Sequence, residues 1–250
     1  MNTSLTAVIV CGCLFGAVLL GMWLRRLLPT HHLSADTKET VKLAMGLVAT
    51  MTALLIGLLI SSAKNSYDNV RDEVIEMAGR VALLDRVLGM YGPDAAPTRA
   101  ALRSTVAEAV RRVWPEGGGR TKLPDRPQAG DAIYFSIQQL SPRDDTQRAL
   151  KAQAVSLAME LARLQSMVLT ESVTAISKPL LVMVVSWLVL IFLSFSLLAP
   201  SNPTATIALL VSAFAITCAI YLILELDRPF GGMIQISSQP MLNALNQLGK

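Results

Sequence analysis

The residues able to do chemistry in this 250-residue chain are few and lie at the margins of apolar stretches. The densest group is Glu225-Leu226-Asp227-Arg228, followed at once by Pro229, Phe230, Gly231 and Gly232. Two carboxylates this close are a possible acid pair, but no nucleophile or histidine accompanies them. A cation here is placed to neutralise the last carbonyls of a helix, and the proline and paired glycines force the chain out of that helix. The group therefore reads as a cap and interface anchor, with a charged pore mouth or ligand-responsive switch as its functional alternative. His31 and His32 are adjacent, so their rings diverge, and no third ligand stands near. Cys11, Cys13 and Cys218 all sit inside apolar runs, with no histidine at metal-ligand spacing. The zinc-protease helix motif, the phosphate-binding glycine loop and the nucleophile elbow are all missing from the sequence. No catalytic residue, metal or cofactor is expected, and the chain does not read as an enzyme.

The elements that would carry these residues are set by four apolar stretches, at residues 5–24, 43–60, 180–199 and 204–224. None holds a charge in its interior. At 1.5 Å rise per residue each is long enough to cross about 30 Å of hydrocarbon, and in lipid the backbone must satisfy itself, so helices are predicted. Composition agrees: 52% hydrophobic, 16% charged, mean hydropathy +0.49. The net charge of +4 is small and its basic residues are scattered among acids, which argues against nucleic acid as a partner. The first stretch lacks a basic leader and is stopped by Arg25 and Arg26, so it reads as a retained span rather than a cleaved signal.

Within the spans, Gly12, Gly16 and Gly21 in the first and Gly46, Ala49, Ala53 and Gly57 in the second make thin stripes suited to close helix packing. No ionisable residue lies near the middle of any span, which argues against a charge-relay pump or coupled transporter. A pore gated by apolar side chains remains open. Its lining is expected on the second span, from Leu55, Leu59 and Ser62, with packing of that helix as the plainer reading. Asn65 and Asp68, just beyond, join Glu225, Asp227 and Arg228 as candidate mouth or switch residues.

Between the second and third spans the apolar period changes. Val70, Val74, Met77, Val81, Leu84 and Leu88 recur at steps of four and three, as do Leu150, Ala154, Leu157, Leu161, Leu164 and Val168. The expected fold is all-α and integral to the membrane: four transmembrane helices with a long extramembrane helical hairpin between the second and third. Its arms would extend about 30–40 Å from the bilayer, with a helix through Leu102, Val106, Val110 and Val113 between them. Gly117, Gly118, Gly119 and prolines 115, 124 and 127 mark a connector, and residues 131–140 are expected as a short strand or docked turn. The divisions are 1–63, 64–178, 179–226 and 227–250, the last an interfacial tail with Met233, Ile236, Met241, Leu245 and Leu248 against a surface.

The run Gly57-Leu58-Leu59-Ile60-Ser61-Ser62-Ala63-Lys64-Asn65-Ser66-Tyr67-Asp68 and the run Glu225 to Gly232, with the two-plus-two span arrangement, resemble the bacterial bestrophin-like domain family. A more remote resemblance links that family to bestrophin anion channels. It implies a homopentamer, a pore lined by the second span, and cytosolic termini and insert in a bacterial inner membrane. Inorganic anions and membrane lipid would be its partners. The positive-inside rule nearly ties on this sequence, so the sidedness rests on the resemblance. The chain departs from the bestrophin pattern in lacking an aromatic-rich second helix and an acidic calcium clasp. From the residues alone, a non-conducting membrane scaffold or sensor acting through its heptad seams stands level with the channel.

Overall fold

The structure is a computed structural model that describes residues 3–27, 35–115, 128–171, 178–200 and 202–249. His31, His32, the triple glycine and prolines 124 and 127 lie outside the described residues. Eight α-helices are found among the described residues, and no strand: α1 (Thr3–Leu27), α2 (Ala35–Tyr91), α3 (Ala96–Val113), α4 (Gln128–Gln138), α5 (Asp145–Glu171), α6 (Lys178–Leu198), α7 (Pro203–Leu226) and α8 (Gln239–Gln247). Four of them, α1, α2, α6 and α7, are long and apolar enough to cross a membrane. The chain is a membrane protein. It divides into two units, Met1–Asn65 with Thr174–Asp227, and Ser66–Val173 with Arg228–Lys250.

In the first unit α1 lies against both α6 and α7. With no water to expel from between lipid-facing helices, close approach and hydrogen bonding hold such a pair. Gly21 supplies the approach: a Cβ there would come within 2.7 Å of the Leu193 carbonyl oxygen and 2.8 Å of Ser196 Cβ. Beside it, the Ser196 hydroxyl donates to the Val18 carbonyl at 2.5 Å. Gly12 and Gly16 have nothing within 4 Å of the same position, so the close-packing expectation holds at one glycine of the three. Buried hydroxyls close on their own helices, Thr52 to the Val48 carbonyl at 2.7 Å and Thr217 to the Ala213 carbonyl at 2.8 Å, as a medium without water requires. Helix α7 starts on Asn202, whose side chain accepts from the Ala205 amide at 3.0 Å, with Pro203 in the first turn.

The second unit is built around the residues of α2 beyond Asn65. Helix α2 ends where Gly92 takes a φ of 110° and Pro93 follows, the glycine supplying a backbone region that other residues disfavour. Val70, Val74, Val81, Leu84 and Leu88 are buried in one core with Ala154, Leu157 and Val168 of α5. Gln147 Nε2 donates to the Tyr91 carbonyl at 3.1 Å, and Arg80 pairs with Glu160 at 2.8 Å. Residue numbers rise along α2 as they fall along α5, so here the two helices run antiparallel. Their heptad seams meet within one chain.

Of residues 131–140, expected as a strand or docked turn, 131–138 are helical and 139–140 turn out of the helix. Ile133, Ile137 and Leu140 are buried while Phe135 is 63% exposed, so the inward positions follow steps of four and three, which suit a helix and not the alternation of a strand. Lys151 Nζ closes this segment, donating to the Gln138 and Leu140 carbonyls at 2.7 and 2.8 Å.

The tail packs into the second unit. Trp114 meets Phe230 edge-on at 5.7 Å and donates from Nε1 to the Ile236 carbonyl at 2.7 Å. Ile236, Met241, Ala244 and Leu248 are buried in the same core. The apolar side expected to hug a surface is thus taken up by the chain's own helices, although Met233 stays 83% exposed.

Candidate functional site

Helix α2 differs from the other apolar helices in how little of it the chain covers. Only 11% of its apolar window is buried, against 39%, 33% and 28% for α1, α6 and α7. The face it does bury in the first unit carries Thr52, Leu59 and Ala63, with Leu55 and Ile56 half-covered beside them. These join a core that includes Leu14, Val18, Val184, Ile220 and Ile223.

The opposite face is open along its whole length. Leu43, Leu47, Met51, Leu54 and Leu58 are 72%, 66%, 51%, 75% and 62% exposed, and Ser61 and Asn65 continue the row as exposed residues. From Leu43 the row advances by four, then four, then three, four, three and four. From Leu47 onward that is the alternation that keeps one stripe facing an axis shared by several helices. Gly46 and Gly57 flank the row with no atom within 4 Å of a Cβ built on either, so a neighbouring backbone has room to approach. The row is apolar up to Leu58 and polar from Ser61.

The residues singled out from the sequence fall on different sides of this helix. Leu59 is 4% exposed and points into the chain's own core; Leu55 is half-buried. Ser62 and Asn65 are exposed, and Asp68 is half-buried one turn further on. The sequence does not single out Leu54 and Leu58 as the open face, because in a segment apolar on every side the composition does not say which face is covered. The signal that was available is the change from leucine to serine and asparagine along one heptad row.

At the end of α7, Glu225 is 4% exposed and Asp227 8%, both inside the first unit. The Asp227 amide donates to the Ile223 carbonyl at 3.2 Å, and the Gly231 amide closes a turn onto the Arg228 carbonyl at 3.1 Å. Arg228 is half-buried, in the second unit. Buried carboxylates need partners to stay charged, and both have interactions. Among the described residues, no three histidine, cysteine or acidic side chains gather closely enough to hold a metal ion.

A second charged cluster, not anticipated from the sequence, lies in the second unit. Asp85 is 5% exposed and takes both oxygens to Arg99, from Nε at 2.8 Å and Nη2 at 2.7 Å, while the Gly249 amide donates to it at 3.1 Å. The Arg99 hydrogen bonds outweigh desolvation and hold the Asp85 carboxyl below its ordinary value; the same contact raises the Arg99 guanidinium. This is a structural clamp tying α2, α3 and the tail together. On an exposed stretch of α3, Glu108 is likewise lowered, by its hydrogen bond to Arg111 first and the charge of Arg112 next.

Three variants of a bacterial bestrophin homologue from Klebsiella pneumoniae, each with a single substitution, are similar in fold, at TM-scores of 0.66, 0.69 and 0.66 and identities of 14%, 13% and 13%. In each case the match covers 100% of this chain and 99–100% of the other. No curated protein matches the sequence. The Bestrophin-like domain family matches residues 12–241, a span that contains both the open stripe of α2 and the end of α7, and the chain belongs to the bestrophin-like domain family.

Proposed function

We propose that this protein is the subunit of a homo-oligomeric, bestrophin-like ion channel whose pore is lined by the open stripe of α2. The observation that carries the reading is that stripe: a heptad row on the least covered apolar helix, open from Leu43 to Asn65. A row of this kind on a membrane helix is completed by copies of itself around an axis. Membership of the bestrophin-like family supplies the functional class, and the remote likeness to bestrophins supplies the anion as the permeant species and five as the number of subunits.

In this reading Leu54 and Leu58 form the apolar constriction, in place of Leu55 and Leu59, which face the protomer's own core. Rings of leucine gate by excluding water and ions from a narrow bore. Ser61, Ser62 and Asn65 begin the hydrated mouth. All four apolar helices cross the bacterial inner membrane, and the even number of crossings puts both termini and the insert on one side, the cytosol. The scaffold alternative needs an open heptad seam for a soluble partner. Val70, Val74, Val81, Leu84 and Leu88 of the α2 seam are already buried in a core that also holds Ala154, Leu157 and Val168 of α5, which weighs against it.

The test is anion flux into proteoliposomes holding the purified chain. The expected result is protein-dependent flux that rises several-fold in Leu58→Asn, where the constriction is made polar, and is unchanged in Val211→Ala, on an exposed part of α7. Protein-dependent flux equal in wild type and Leu58→Asn would move the pore off this face, and no flux from either would remove the channel reading.

A further inference from the structure

The second unit holds a cavity of about 620 Å³, open to solvent on one side, that the channel reading does not use. Its walls are apolar and come from five helices and the tail: Val81 of α2, Val106 of α3, Ile133 of α4, Ala158 of α5, Met241 of α8, and Phe230. A volume of this size is that of a small-molecule site rather than a packing defect.

The charged groups on the cavity all come from α3 and form a solvent-exposed rim, while Ser104 and Thr105 of the same helix add hydroxyls to the lining. Glu108, Arg111 and Arg112 of α3 stand there, with Gln165 of α5. Arg111 and Arg112 both pair with Glu108, at 3.1 and 3.0 Å. Two guanidiniums thus share one carboxylate, and Glu108 is the sole acid among the described lining residues. The rim therefore carries net positive charge above an apolar interior. Both arginine side chains are well exposed, at 71% and 55%, so a ligand head group can reach them without being buried. Trp114 is part of the wall and is fixed by its bond to the Ile236 carbonyl at 2.7 Å.

We propose that this cavity binds a free single-chain amphiphile with a carboxylate head, its chain among Val81, Val106 and Ala158 and its head at Arg111, Arg112 and Gln165. A long neutral molecule would fill the interior but leave the rim charge unanswered. A cation would oppose it. The carboxylate forms the charge-assisted hydrogen bonds that guanidiniums favour, and its chain replaces the missing wall-to-wall contacts.

The experiment uses the whole protein in nanodiscs, in a Trp23→Phe and Trp187→Phe background, so that Trp114 is the remaining tryptophan. Brominated dodecanoate is titrated and Trp114 quenching is read. The expected result is saturable quenching, with affinity about tenfold weaker for Arg111→Gln with Arg112→Gln, the loss set by charge-assisted hydrogen bonds. Brominated dodecanol should bind the parent more weakly than dodecanoate and be indifferent to that double change. Ala158→Phe, which fills the chamber, should abolish quenching. The arginine pair is exposed, so that arm remains informative where Ala158→Phe fails to fold. Non-saturable quenching, or saturable quenching indifferent to the arginine changes, would overturn the proposal. So would equal quenching by brominated phospholipid placed in the disc, which would identify a bilayer lipid as the occupant.

Discussion

Leu58 and Leu59 are neighbours whose surroundings are opposite, one 62% exposed and the other 4%. A helix turns about 100° between them, enough to separate an open face from a packed one. Leu59→Ala removes contacts from a closed core and is expected to cost about 2 kcal/mol of stability, read as a lower melting temperature in detergent with little change in open-channel flux. Leu58→Ala should change stability by less than about 0.5 kcal/mol and raise flux instead. The pair discriminates packing from lining in one experiment. Asp85 makes a different kind of prediction. Its folded-state value lies below the ordinary one near 3.8 because Arg99 holds the charged form. Its contribution to stability is therefore complete above that ordinary value and is lost as pH falls below it, through the depressed folded value. Asp85→Asn should flatten the acid limb of the stability profile and cost about 2 kcal/mol near neutrality. None of this was legible from Asp85 in the sequence, since its partners Arg99 and Gly249 lie 14 and 164 positions away.

At the scale of elements, the approach of α1 to α6 depends on one glycine. Gly21→Ala places a methyl within 2.7 Å of the Leu193 carbonyl oxygen, and backbone yields poorly. A loss of roughly 1–3 kcal/mol is expected, against near-neutral Gly12→Ala and Gly16→Ala, measured as thermal stability of the three variants side by side. The spacing of the three glycines pointed to a packing face, but which one meets a neighbour depends on where α6 crosses. The tail offers a second element-scale test. Trp114→Ala removes both the contact with Phe230 and the bond to the Ile236 carbonyl, so residues 228–249 should become sensitive to limited proteolysis while α1, α6 and α7 remain protected. The positions of the long helices were legible because apolar length and heptad period are local properties. Residues 131–140 were misread because four apolar residues in a short run carry little period. The destination of the tail was misread because an amphipathic segment looks the same whether it meets a membrane or a protein core.

At the scale of the whole molecule, the family and the membrane-protein class were legible in the sequence, the first from two short motifs and the second from uninterrupted apolar length. The face of α2 proposed to line the pore was not, because it is defined by what the protomer leaves uncovered. The central claim is that copies of this chain gather with Leu54 and Leu58 toward a common axis. The most direct measurement is a single-particle structure of the protein in nanodiscs. The account predicts a closed ring of subunits around an axial passage, with Leu54 and Leu58 projecting into it and Leu59 packed within each protomer. A ring whose axis is filled by lipid, or an assembly in which the Leu43–Asn65 stripe faces the bilayer, would contradict it.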